Sequence, residues 1–176
     1  MMDNIADLLE TEVNPHYLHS VLRERIVEHI FVGEILRTLW RRKIMDAEVL
    51  RSEFDAGGYD LVMGRQGIVR HIQLKTMTAG GKTSNVKVGL KLAEKLSGCV
   101  IGIIVTPDLQ LDSYLWFGGA PGEPLPDIGS MKIAKHTKAN AQGKKNERLN
   151  HRLLPRNNFE QLKALDDVLI RLFGPL

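Results

Sequence analysis

Residues 59–76 constrain this chain more than any other stretch. Residues 59–63 and 69–76 are short runs in which apolar and polar side chains alternate. Gly64-Arg65-Gln66-Gly67 between them is turn-forming, so the pattern predicts a β-hairpin. With the turn centred on Arg65-Gln66, Asp60 stands opposite His71, and Gln73 and Lys75 follow on the same face. Leu61, Met63, Ile72 and Leu74 then point the other way, into a core. A carboxylate, an imidazole, an amide and an ammonium are thereby gathered on one face of a two-stranded ribbon.

The flanking chain reads as a single α/β domain. Residues 4–12 predict a short helix ended by Asn14-Pro15, and residues 15–42 a longer one. In the longer helix Leu22, Ile26, Val27, Ile30, Phe31, Ile35, Leu36, Leu39 and Trp40 recur at helical spacing. In its second half the apolar residues surround most of the circumference, which predicts packing on more than one side. Strands are expected at 47–52, 100–106 and 114–117, and helices at 86–97 and 159–173, the last stopped by Gly174-Pro175. Residues 118–124 hold too much Gly and Pro for a regular element. They open a basic, mostly irregular region, 118–156, with one strand near 152–155. The 176 residues contain no internal repeat and no dividing linker, so the expectation is one mixed central β-sheet flanked by helices.

Composition excludes several classes. With 43% hydrophobic and 26% charged residues and no run of eighteen uncharged apolar positions, a soluble globular protein is expected. The opening MMDNIADLLETE is acidic, without the basic and apolar segments of a secretory signal, so a cytoplasmic location is the default. The lone Cys99 lies in an apolar run, 99–105, and reads as a small core residue. Net charge is only +3, but its distribution is uneven: Lys132, Lys135, Lys138, Lys144, Lys145, Arg148, Arg152 and Arg156 face the single acidic Glu147. Such a stretch suits a phosphate backbone, and equally reads as a solvated basic loop. Gly80-Gly81-Lys82-Thr83-Ser84 follows a strand, but Thr76 occupies the position where a Walker A loop needs its first glycine. A basic, Gly-rich loop with Lys82 and Lys87 fits backbone contact to a nucleic acid better.

The hairpin carries the chemistry. Hard oxygen ligands hold Mg²⁺ or Mn²⁺, a nearby lysine stabilises charge on a phosphate, and Asp60, Gln73 and Lys75 are such groups. The same letters also describe an Asp capping a turn beside a solvated strand face. Gly-Tyr-Asp60, a gap of twelve residues and Gln73-Leu74-Lys75 on the next strand resemble the PD-(D/E)XK nuclease superfamily. The match is closest to the variant with Gln in place of the acidic residue, as in Mrr-type restriction endonucleases. The resemblance covers residues 24–106 and implies a restriction-endonuclease-like fold, a divalent metal held by Asp60 and Gln73, and hydrolysis of DNA phosphodiester bonds. Archaeal Holliday-junction resolvases of the superfamily add a glutamate from the preceding helix. Here Glu28 and Glu34 occupy that helix about 240° apart, and the spacing to the first strand favours Glu34 as the further metal and catalytic residue. Tyr59 stands where the motif's name has Pro, and Gln73 brings no charge. The alternative is therefore a nucleic-acid-binding module of the same fold with little or no activity. Asp55 and His71 are neighbours with a role at the site or merely in a turn and in packing. Cutting both strands takes two active sites, so chemistry alone suggests a homodimer.

Overall fold

The computed structural model describes residues 19–54, 57–136, 143 and 145–176. The helix expected at 4–12, along with Asp55, Lys138 and Lys144, lies outside them. Helix α1 (Ser20–Arg41) buries Val27, Phe31, Val32, Ile35 and Leu39 against a six-stranded mixed sheet. Each such side chain contributes on the order of 2 kcal/mol of transfer free energy. In the sheet order, β1 (Glu48–Arg51), β2 (Leu61–Arg65) and β3 (Ile68–Thr78) are followed by β5 (Gly98–Val105), β6 (Leu111–Gly118) and β9 (Glu160–Leu162). Only β3 and β5 run parallel; the other pairs are antiparallel. Strand β5 is apolar and buried at every position, as a central strand covered on both faces must be.

The hairpin forms, with its turn moved by one residue. Arg65 pairs with Ile68, so Gln66 and Gly67 make a two-residue turn with φ of 50° and 80°. Positive φ at both positions is the hairpin turn whose twist matches the strands. Leu61 now faces Ile72 and His71 faces Val62, not Asp60. The register moves by two residues, so side-chain parity survives and the expected apolar set still enters the core.

Three other expectations are corrected. Residues 86–97 are not one helix: β4 (Asn85–Gly89) is followed by a single turn, α2 (Leu90–Ala93). Val86 and Val88 are buried by alternation, and β4 pairs with β8 (Glu147–Pro155). Strand β8 also pairs with β7 (Lys132–Lys135), so the basic region builds a second, three-stranded sheet, β4-β8-β7, instead of remaining irregular. The expected C-terminal helix begins at Leu165 (α3, Leu165–Phe173), because Asp167 accepts the Ala164 N–H at 3.0 Å and fixes its start.

The sheet thus separates two cores. On one face, α1 and α3 cover Leu61, Met63, Ile72, Ile101 and Ile103. On the other, β4, α2 and β8 cover Met77, Val100, Ile104 and Leu115. Cys99 is buried, as expected, and burial pushes its thiol up to about 12. Among the described residues no helix is long and apolar enough to cross a membrane.

Candidate functional site

Asp60 lies just before β2, at the end of the hairpin. Gly58 reaches it by turning with φ +74°, where a Cβ would meet the Leu92 main-chain nitrogen at 3.2 Å. The Asp60 N–H donates to the Ile72 carbonyl at 2.9 Å, and Oδ2 of its carboxylate accepts the Leu74 N–H at 2.7 Å. A side chain therefore continues the ladder where β2 has run out of backbone. Because N–H and C=O of one strand residue point to the same edge, the Leu74 carbonyl faces the Asp60 side as well.

Asp60, Leu74, Lys75 and Thr76 line a cleft of about 270 Å³ together with Val21, Glu24, Arg25 and Glu28 from the first turns of α1. Two helix carboxylates therefore line the cleft, the exposed Glu24 and the buried Glu28, and the expected Glu34 is not among its lining residues. Glu34 pairs with Arg37 and lines a separate hollow with Ile30, Asp108 and Tyr114. The reason is rotational: the stripe that packs on the sheet includes Val27 and Phe31, which carries Glu28 inward and turns Glu34 aside. Glu28 is only 8% exposed, and two arginines hold it: Arg51 Nη1 at 2.6 Å on Oε1 and Arg25 Nη1 at 3.1 Å on Oε2.

Gln73 does not line the cleft. It sits between the two residues whose main chains Asp60 bonds, beside Val100 of β5, and is buried. Its Oε1 has no hydrogen-bond partner, which is costly for a buried acceptor. His71 follows the same alternation. Its ring stands edge-on to Tyr59 at 4.9 Å, its Nδ1 is likewise unpartnered, and burial followed by the Lys95 charge lowers its pKa. Among the described residues no three His, Cys, Asp or Glu side chains gather to hold a metal. The donors that fit a hard cation are mixed: the Asp60 carboxylate, the Leu74 carbonyl, the orphaned Gln73 oxygen and, if its arginines release it, Glu28.

The lysines divide into groups. Lys87 on β4 lies close enough to Arg148 and Lys75 that both cations, after burial, lower its pKa. Lys87 and Lys132 both pair with Leu153 and form one row across the second sheet. Lys82, Lys135 and Lys145 are exposed, Lys82 in the loop before β4 and Lys135 at the end of β7. Arg148 stood in the basic run with no link to Lys87; pairing of β8 with β4 is what brings the two charges near each other, a long-range effect with no local signal. No protein-family model matches the chain, and no curated protein matches it.

Proposed function

We propose that this chain is a Mg²⁺- or Mn²⁺-dependent endonuclease with a restriction-endonuclease-like fold, acting on DNA. One observation carries the reading: the Asp60 carboxylate is folded onto the Leu74 N–H in a cleft that Lys75 and Glu28 share. Asp60 and the Leu74 carbonyl would hold the cation, and Gln73 would join them by turning its unpartnered oxygen toward the cleft. When bound, it supplies Lewis-acid polarisation of a phosphate and acidifies water. Lys75 stands one residue beyond the carbonyl donor, where its ammonium offsets charge growing on the phosphate oxygens. Lys87, Arg148 and Lys132 extend positive charge away from Lys75 along the second sheet, which suits a phosphate backbone running past the cleft. The Arg25 and Arg51 contacts keep Glu28 neutralised until a cation or a phosphate competes for them.

The test is incubation with supercoiled and branched DNA, with and without Mg²⁺ or Mn²⁺. Metal-dependent nicking is expected, reduced roughly a hundredfold or more by Asp60→Ala and by Lys75→Ala. Glu28→Gln should lower it and Glu34→Gln leave it unchanged. Salt-dependent DNA binding without cleavage under either metal would favour the second reading, a binding module, which the uncharged Gln73 and the arginine-clamped Glu28 would then explain.

A further inference from the structure

We propose that the hollow between α1 and the turn joining β5 to β6 binds an aliphatic organic cation, a guanidinium or ammonium carried on a hydrocarbon arm. The hollow measures about 440 Å³ and shares no lining residue with the Asp60 cleft. That volume suits a small ligand, and the walls are of two kinds. Ile30, Leu109, Leu111 and Leu165 are apolar, whereas Glu34 and Asp108 bring two carboxylates, and among the described residues no cationic side chain lines the hollow. In a chain of net charge +3 this is a local reversal of sign.

The polar groups at the hollow keep capacity for a donor. Tyr114 of β6 lines it and is only 5% exposed, its ring 6.1 Å from that of Phe31. Among the described residues its hydroxyl has no hydrogen-bond partner. Burial and then the Glu34 charge push that hydroxyl up to about 12, so the phenol stays neutral with the carboxylate close by. Arg37 pairs with Glu34, but its Nε and Nη2 both take Oε2, and Oε1 has no partner among the described residues. Asp108 accepts Thr106 Oγ1 at 2.5 Å and Gln110 Nε2 at 2.6 Å. These neutral donors, the Thr106 hydroxyl foremost, hold its carboxyl below the usual range and leave its charge uncompensated. Two anionic groups, an acceptor hydroxyl and apolar walls fit a cation of low charge density. A hard divalent ion takes six or so oxygens and gains nothing from leucines. Guanidinium is planar, weakly hydrated and a multiple donor, which makes it the better of the two head groups. The site is independent of the proposed nuclease activity.

Titration of the full chain with n-butylguanidinium, followed through backbone amide shifts in NMR, tests it. Shifts are expected at Leu109, Gln110 and Tyr114, with a dissociation constant on the order of 1 mM or tighter. The same arm without charge, n-butanol, should bind at least roughly tenfold more weakly. Glu34→Gln should raise the constant roughly tenfold, and Tyr114→Phe, which keeps the ring packing, roughly threefold. Glu94→Gln, at an exposed carboxylate elsewhere, should leave it unchanged. N-acetyl-arginine N-methylamide separates two sources of the same head group. Equal binding would assign the hollow to an arginine side chain of another protein, and exclusion would assign it to a free guanidine or amine. The proposal is overturned by the absence of a saturable shift, by equal binding of n-butanol, or by displacement with Mg²⁺ at equal concentration. Equal weakening by Glu94→Gln and Glu34→Gln would overturn it too, since the attraction would then be diffuse.

Discussion

Strand β3 carries two polar groups into the interior within four residues, and it treats them in opposite ways. Arg70 is fully buried, yet its donors all reach main-chain carbonyls: Leu172 at 3.0 Å, Arg171 at 2.9 Å, Gly119 at 3.1 Å and Glu123 at 3.4 Å. Its guanidinium also lies 5.4 Å from the centre of the Trp116 ring. Gln73, three residues on, is as well hidden but leaves its oxygen unpaired. Arg70 completes a structure; Gln73 is left incomplete by one. The first pattern belongs to stability, and the second is what the proposed cation site would draw on.

The largest effect should come from breaking the complete end. Two of the Arg70 acceptors are terminal carbonyls of α3, which have no partner within the helix. Arg70→Met strands them with the two loop carbonyls, and a loss of about 3 kcal/mol or more is expected in urea unfolding. Cation-dependent DNA cleavage, measured well below the unfolding midpoint, should remain. A loss under about 1 kcal/mol would mean that water replaces the guanidinium easily, and the contrast with Gln73 would fail.

Gln73 should respond in the reverse sense. Gln73→Met removes a buried acceptor that has no donor, so stability should stay within about 1 kcal/mol of the parent or rise. Gln73→Glu should tighten Mg²⁺ or Mn²⁺ binding by roughly tenfold in titration calorimetry, as a second anionic oxygen joins Asp60. Weaker binding by that variant would place the side chain away from the cation.

How much of this was legible beforehand follows from where each signal lies. The hairpin could be read because alternation is local, and its parity survived even though Gln66, a residue without strong turn preference, took the positive φ. The β4 strand could not. Val86, Val88, Leu90 and Leu92 suit a strand or a helix, and the choice is made by β8, which arrives far along the chain. Of the two helix candidates, Glu34 was preferred to Glu28 for a related reason. Helix α1 is apolar on both its inner stripe and its outer one, so sequence alone did not say which stripe meets the sheet. The expectation that this helix packs on more than one side came from that same excess of apolar residues.

A smaller effect sharpens the comparison at the residue between Arg70 and Gln73 on their shared strand. His71 is held neutral by burial and by Lys95 beside Tyr59, so its folded pKa lies below the ordinary 6.5. The unfolded chain therefore binds the proton more readily. The His71 contribution is fully present above pH 6.5 and is lost as pH falls through the lowered folded value. Urea midpoints measured downward from neutral pH should decline, and His71→Gln should remove part of that decline. An unchanged slope would show that the imidazole is solvated and not part of the incomplete end.

The smallest effect tests whether the incomplete end continues into the basic sheet. Lys87 is already crowded by Arg148 and Lys75, and like charges this close raise the cost of the apo state. A phosphate among them would relieve that repulsion, so Lys87 should regain an ordinary ammonium pKa when DNA binds. Lys87→Ala removes one phosphate contact and should reduce the slope of log affinity against log salt by about 1, with little dependence on DNA sequence. Lys145→Ala, at an exposed residue outside this cluster, should change the slope less. Equal changes for the two variants would mean that the whole surface attracts DNA diffusely. A slope altered only by Lys87→Ala would instead tie the phosphate path to Lys75, and through it to the cleft that holds Asp60.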